Sequence, residues 1–400
     1  MAQELLSIDE ARDRTLAAAQ RLSAETIPIS EALDRVLAEG ISAAGNVPPF
    51  ACAAMDGYAL IDGPGDRRLS VVAESRAGAP SQHTVLDGEA VRISTGAAVP
   101  PGATAVVRQE DTSAADGTVL VQTAIVPGQN IREAGEDMRA GASVLAAGVR
   151  LGAAELGAAV AAGAGQLSVT RRPRVAVLPT GDELLAPGAP LGPGQIHNSN
   201  GPMLSALAAH AGAAPQPPAQ LPDDADATEA GLAAALEAAD VVIVSGGVSV
   251  GPHDHVKPAL QRLGVTEIFW GVALQPGKPT WFGTKDGTLV FGLPGNPVSA
   301  VVTFSLFVAP ALASLLGTPA PVPPHPNAVL AADVRSNPAR EQAVRVRLQT
   351  SGATVTATTT GAQDSHIVTS LLGADALALI PPSPEPCRAG TEVRLAHLAR

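Results

Sequence analysis

The sequence predicts a multidomain α/β plus β protein: a doubly wound α/β domain between a helical N-terminal region with a β-rich insertion and a small C-terminal β-domain. Three observations lead there. Strand–loop–helix alternation over residues 171–318 is the pattern of a parallel sheet covered by helices. Short segments punctuated by Gly and Pro precede it, and two alternating runs, QAVRVRLQT and ATVTATTT, follow it. The 400 residues hold roughly two to four domains, each long enough to bury a core.

Taken in order, region 1–170 opens with a helical pattern at Leu5, Ile8, Ala11 and Leu16. Over about 45–145, LSVVAESRAG, EAVRISTGAAVPPGATAVV and GTVLVQTAIVPG read as strands of the insertion. GVRLGAAELGAAVAAGAG then returns the chain to a helix of small residues. Arg171, Arg172 and Arg174 around Pro173 mark a joint. Beyond it RVAVLPTGDEL gives a strand and NSNGPMLSALAAHAG a helix started by Asn or Ser. TEAGLAAALEAA is a second helix, VVIVSGGVSVG a strand running into glycines, and TLVFGLPGNPVSAVVTFSLF repeats strand, tight loop and helix. A Pro-rich linker at 318–326 leads to the β-domain, 325–400.

Composition narrows the function. Lys and Arg number 26 against 38 Asp and Glu, a net charge of −12 that argues against binding a phosphate backbone. Six Phe, two Trp and one Tyr leave no stacking platform for bases, so no nucleic-acid partner is expected. Cys52 and Cys387 are too far apart in sequence for a zinc pattern and read as free thiols. The first twenty residues lack the basic and apolar blocks of a signal peptide. Val298–Leu316 carries no charge, but Ser299, Thr303, Ser305, Pro310 and Ser314, with no basic flank, favour a buried helix over a membrane span. A soluble, cytoplasmic protein is expected.

Chemistry should sit in the loops after the strands. PTGDEL, SGGVSVGPHDH and GLPGNPVS combine glycines with strand ends, where converging backbone N–H groups bind anions. Their candidate binding residues are Thr180, Gly181, Asp182, Ser245, Gly246, Gly247, Ser249, Gly295 and Asn296. Carboxylates beside an anion need a cation between them, which points to Mg²⁺; helix capping is the alternative for Asp182 and Glu183. His253 and His255, without a partner cluster, read as solvated. Lys278, in QPGKPTW, reads as a counter-charge for an oxyanion or as a solvated side chain. Asp56 in MDGY, Thr95 in ISTGA, and Glu136–Asp137 each lie in Gly-bounded loops that read as turns when taken alone.

Together these strings resemble the molybdopterin molybdenumtransferases, bacterial relatives of the C-terminal domain of gephyrin. The match runs the whole chain in order: PPF…MDGYA, STGA, NIRxxGED, TGDEL, SGGVSVGxxD, PGKP, FGLPGNPVS and TTTGxQxSH. The resemblance implies an elongated helical N-terminal domain, a molybdopterin-binding α/β domain and a C-terminal β-barrel. It implies a homodimer whose site lies between the α/β domain of one subunit and N-terminal segments of the other. The implied reaction takes adenylylated molybdopterin and molybdate, hydrolyses the adenylate with Mg²⁺ and inserts molybdenum. The functional acids would be Asp56, Asp137, Glu183, Asp223 and Asp254, with Thr95; Glu183 and Asp254 would hold Mg²⁺. Molybdate would meet Lys278, Pro279, Ser299, Arg345 and Ser365. Hand-over from a molybdopterin adenylyltransferase is a further expected partnership.

The chain departs from the pattern at three positions. Gly271 and Gln275 stand where many relatives have lysines, and Ala53 where they often have Ser. A weakened paralogue acting as a pterin-binding scaffold is therefore the competing reading. A molybdopterin adenylyltransferase is the other alternative, and the flanking domains argue against it.

Overall fold

The computed structural model describes residues 5–247 and 255–399. The chain forms two compact units, one made of Thr26–Leu33 and Glu39–Leu167, the other of Met1–Glu25, Asp34–Ala38 and Ser168–Arg400.

The first unit is built on a six-stranded mixed sheet in the order Ala105–Arg108, Gly57–Leu60, Glu89–Ile93, Arg67–Ser75, Thr118–Val121, Thr112–Ala115. Alternation sends Tyr58, Leu60, Ala105 and Val107 into one core and Ala59, Val106 and Ile93 into another, so Gly57–Leu60 is buried on both faces. Ala53 belongs to the second core and is fully buried, where a Ser hydroxyl would need a hydrogen-bond partner. The small-residue helix spans Ala153–Ala161 and buries only Ala159, while Val160 is 56% exposed.

In the second unit, helix Ile8–Ala18 begins with a capping box between Ser7 and Glu10. Its buried face is Ile8, Ala11 and Thr15 rather than Leu16, because Thr15 Oγ1 donates to the Ala11 carbonyl and needs no water.

The α/β sheet runs Ala214–Pro215, Arg174–Pro179, Val241–Ser245, Thr288–Leu293, Trp281–Lys285, Thr266–Trp270; the first four are parallel and the last two antiparallel. Val175, Val177, Val241 and Ile243 pack on one side with Leu204 and Leu207 of helix Asn200–His210. Ala176, Leu178, Val242 and Val244 pack on the other with Leu232 of helix Ala225–Ala238 and Leu260 of helix Val256–Arg262. Strands covered on both faces read as continuous apolar runs, which is how VVIV and RVAVL are written.

The uncharged stretch forms helix Pro297–Thr303, a π turn Phe304–Val308 and helix Ala309–Leu316. The wide turn, in which Ala309 N–H donates to the Phe304 carbonyl, precedes Pro310, whose ring has no place in a regular turn. Pro297–Leu316 is long and apolar enough to cross a membrane, but 94% of its most apolar window is buried inside the protein.

The C-terminal strands close into a five-stranded barrel: Glu341–Ser351, Thr354–Thr359, Asn327–Leu330, Glu392–His397, Ala376–Ile380, and back to Glu341–Ser351. Val344 and Val346 point into it, whereas Ala343 faces the α/β cluster. Arg345 therefore lies on the outer face of the barrel, as its alternation with Val344 and Val346 requires.

Candidate active site

A cavity of about 640 Å³ opens at the carboxyl ends of the parallel strands, where ligands bind in open α/β sheets. Three strand-end loops line it: Thr180, Gly181 and Glu183 after the first strand, Ser245, Gly246 and Gly247 after the second, and Gly295 and Asn296 after the third. Asp223 and Pro279 complete the set that the sequence brings together.

Glycine is favoured here by backbone conformation, and at Gly246 by space as well. Gly246 has φ 98°, and a Cβ there would lie 2.5 Å from Thr180 Oγ1. Gly181 has φ 131°, and a Cβ would fall 2.2 Å from Glu183 Oε2, so the Glu183 carboxylate folds back over the place a side chain would occupy.

The TGDEL loop runs into a strand and not a helix, so Asp182 and Glu183 are not helix caps. Residues Leu184–Leu185 form a short strand parallel to Ile196–His197, and the Ile196 N–H donates to the Glu183 carbonyl (2.9 Å). Asp182 Oδ1 accepts from Asp223 N–H (3.1 Å), tying the two loops together. In LPDDAD the helix cap is Asp224, which accepts from Ala227 N–H (2.8 Å). That leaves the neighbouring Asp223 to line the cavity.

His197, Asn198, Ser199 and Asn200 line the cavity too and were not among the expected site residues. The one signal was the NSN string, read only as a helix start. Asn198 Oδ1 does the capping, accepting from Gly201 N–H (2.9 Å). Asn200 is buried, and its Nδ2 donates to Ser245 Oγ (2.9 Å) and to the Gly295 carbonyl (2.6 Å), holding two of the glycine loops in register.

Of the residues expected around the oxyanion, only Pro279 lines this cavity. Lys278, one residue earlier, is exposed. Ser299 is buried in the first turn of its helix. Ser365 adjoins the cavity, since its Oγ accepts from Asn296 Nδ2 (2.8 Å) and its carbonyl from Val298 N–H (3.1 Å). Arg345 is 1% exposed, and burial lowers its pKa to about 10. Its guanidinium donates to Ser370 Oγ (3.1 Å) and to the carbonyls of Ala362 and Asp364 (3.4 Å each). It grips the loop that carries Ser365 instead of reaching the cavity itself.

One of the two lysine departures has a structural reason, and the other makes a contact of its own. Gly271 has φ 89°, and a Cβ would sit 2.7 Å from Leu5 Cδ2, so this backbone does not admit a lysine without strain. Gln275 Oε1 accepts a hydrogen bond from Asn337 Nδ2 in the barrel.

In the first unit, Asp56 Oδ1 accepts from Thr95 N–H (2.7 Å) and Thr95 Oγ1 (3.1 Å), joining two expected catalytic residues. The Thr95 backbone bond, then its hydroxyl, hold the exposed Asp56 carboxyl below the ordinary aspartate range. Asp137 lines a separate cavity of about 520 Å³ with Glu136, Arg132, Cys52, Val47 and Pro48. Ser249, His253 and Asp254 lie outside the described residues.

Among the described residues, no three His, Cys, Asp or Glu side chains converge on a common point. The main cavity offers two carboxylates, Glu183 and Asp223, beside hydroxyl and amide oxygens. That donor set fits a hard cation that keeps several waters and shares its ligands with a phosphate, as Mg²⁺ does, and does not suit a thiophilic metal.

The chain matches three family models: the MoeA N-terminal region (domain I and II) at residues 6–163, the probable molybdopterin binding domain at 176–314, and the MoeA C-terminal region (domain IV) at 327–398. It is 39% identical to the molybdopterin molybdenumtransferase of Haemophilus influenzae over 81% of each chain. It is 38% identical to molybdopterin molybdenumtransferase 2 of Mycobacterium tuberculosis, over 92% of this chain and 94% of that one. Among solved structures, a molybdopterin biosynthesis MoeA protein from Pyrococcus horikoshii OT3 superposes with a TM-score of 0.81 at 30% identity, over 98% of this chain and 100% of that one. With family models covering its length and relatives of this similarity, the chain belongs to the molybdopterin molybdenumtransferase family and is an enzyme of molybdenum cofactor biosynthesis.

Proposed function

We propose that this enzyme binds adenylylated molybdopterin in the 640 Å³ cavity, hydrolyses the adenylate in a Mg²⁺-dependent step, and inserts molybdenum from molybdate into the pterin dithiolene. The observation that carries the reading is the meeting of three glycine loops with Glu183 and Asp223 in one cavity. Backbone N–H groups of such loops receive phosphate oxygens, and the missing side chains let a phosphate approach.

Glu183, with Asp254 assigned from its sequence motif, would hold Mg²⁺, which when bound supplies charge neutralisation at the phosphate. Asp223 is left to orient a water, because Asp224 takes the capping task and the one bond to the Asp223 carboxylate among the described residues, from Asp182 N–H to Oδ2 (3.4 Å), leaves Oδ1 for solvent. Asn200 keeps the SGG and LPGN loops at a fixed separation, so the phosphate-binding groups are positioned before substrate arrives.

Molybdate, a dianion, approaches a protein of net charge −12, so local donors must outweigh the overall field. Lys278 is the charge available at the Pro279 side, with Ser299 and Ser365 as hydroxyl donors. Arg345 acts at one remove, by fixing the 361–366 segment that presents Ser365. Asp56, Thr95 and Asp137 are proposed to join the reaction as acids and as a hydrogen-bond donor. The enzyme is proposed to work in the cytoplasm as a homodimer and to receive its substrate from a molybdopterin adenylyltransferase. The exposed Ala153, Ala154, Gly157 and Val160 face supports the dimer, since small residues permit close approach of a second chain.

AMP release from adenylylated molybdopterin, titrated with Mg²⁺, tests the reading. Wild-type protein should release AMP only with Mg²⁺, and Glu183→Gln should raise the Mg²⁺ requirement at least tenfold. AMP release that is independent of Mg²⁺ and unaffected by Glu183→Gln would overturn it.

A further inference from the structure

Among the described residues, one β pairing joins the α/β domain to the barrel. The short strand Leu274–Gln275 runs parallel to the start of Glu341–Ser351, with Gln275 opposite Gln342. The Glu341 N–H donates to the Ala273 carbonyl (2.9 Å) and extends the pairing. Directly after this strand comes the Pro276–Gly277–Lys278–Pro279 loop, whose last residue lines the substrate cavity.

The Gln275 side chain adds a second tie. Asn337 Oδ1 accepts from Ala339 N–H (2.8 Å) and Arg340 N–H (3.0 Å), two backbone donors that fix which way its amide points. Its Nδ2 is thereby turned toward Gln275, whose Oε1 accepts. The loop itself has little freedom. The Thr280 hydroxyl donates to the Gly277 carbonyl (2.6 Å), and Val272 N–H donates to the Lys278 carbonyl (3.0 Å). Pro276 and Pro279 restrict φ on either side. A displacement at Gln275 is therefore passed to Lys278 rather than absorbed between them.

We propose that Gln275 and Asn337 are positioning residues that seat the Lys278 loop on the barrel and so set the affinity for the oxyanion substrate. The proposal rests on the reading of that loop as the molybdate side of the site. In this chain the side chain at position 275 aligns the remaining lysine from the barrel side, without contributing charge itself.

The test is a double-mutant cycle on the full-length protein. Asn337→Ser keeps a hydroxyl acceptor for Ala339 and Arg340 but is too short to reach Gln275 Oε1, and Gln275→Ala removes the contact from the other side. Each should raise the KM for molybdate about two- to tenfold, the range of one ordinary hydrogen bond. The kcat and the KM for adenylylated molybdopterin should each stay within about twofold. The double variant should be no worse than the worse single, because both remove the same contact. Thermal midpoints of all three confirm that folded protein is compared. Additive effects, a fall in kcat with no change in KM, or no effect at all, while Lys278→Ala raises the molybdate KM, would overturn the positioning role. If Lys278→Ala leaves that KM unchanged, what fails is the assignment of the loop to the anion, and the proposal with it.

Discussion

Gly246→Ala tests the geometry of the cavity most sharply, because a second glycine supplies its control. Gly246 and Gly264 both have positive φ, 98° and 79°. A Cβ at Gly264 would meet nothing within 4 Å, whereas at Gly246 it would lie 2.5 Å from Thr180 Oγ1 and 3.3 Å from the Thr180 carbonyl oxygen. Gly264→Ala should therefore cost only the backbone preference, about 1–2 kcal/mol. Gly246→Ala should cost that plus overpacking of about 1–3 kcal/mol, since Thr180 must move. Moving Thr180 also shifts the TGDEL loop that carries Glu183, so AMP release should fall by far more than the stability loss explains. Urea denaturation of both variants and AMP release at saturating Mg²⁺ read the two effects separately. Equal stability of the two variants, with normal AMP release from Gly246→Ala, would refute the packing of these loops.

Three further outcomes follow from the same structure. Asp224→Ala should lose a helix cap worth about 0.5–2 kcal/mol and keep AMP release, while Asp223→Ala should show the reverse, measured by denaturation and AMP assay. Burial alone would raise the pKa of Asp240, but hydrogen bonds from Arg171 (2.6 and 2.8 Å) and Arg174 reverse this and place it well below the ordinary range. A lowered folded pKa gives stability that is present above the unfolded value, about 3.9, and is lost as pH falls below it; Asp240→Asn should be less stable at pH 7 by about 1.5–3 kcal/mol and lose less on acidification. Gly271→Lys should destabilise the protein through its φ and the Leu5 contact and should not improve molybdate use, read from melting and the molybdate KM.

The parts of the fold that follow a periodic rule were legible in the sequence. Apolar runs such as VVIV and strand–loop–helix alternation led to the α/β sheet, and alternation in QAVRVRLQT to the barrel strands. The family strings led to Glu183, Asp223 and the three glycine loops that do meet. What remained hidden depends on contacts between distant positions. Asn200 meets Ser245 and Gly295, which lie 45 and 95 positions away, and NSN alone looks like a helix cap. Asp223 and Asp224 are equivalent by local pattern, and only the hydrogen bond to Ala227 separates cap from cavity. Arg345 has the charge expected of an anion ligand, but its burial beneath the 361–370 loop is a property of the barrel's outer face. Gly271 looks like a lost lysine until its φ and the Leu5 side chain are considered together.

Molybdenum transfer is read directly by a single-turnover measurement on the purified protein. Protein loaded with adenylylated molybdopterin is given Mg²⁺ and molybdate, and AMP and pterin-bound molybdenum are quantified together. One molybdenum should be incorporated per AMP released, with both products lost when Mg²⁺ is omitted. Tight retention of the pterin with neither AMP nor molybdenum-loaded cofactor formed would contradict molybdenum transfer.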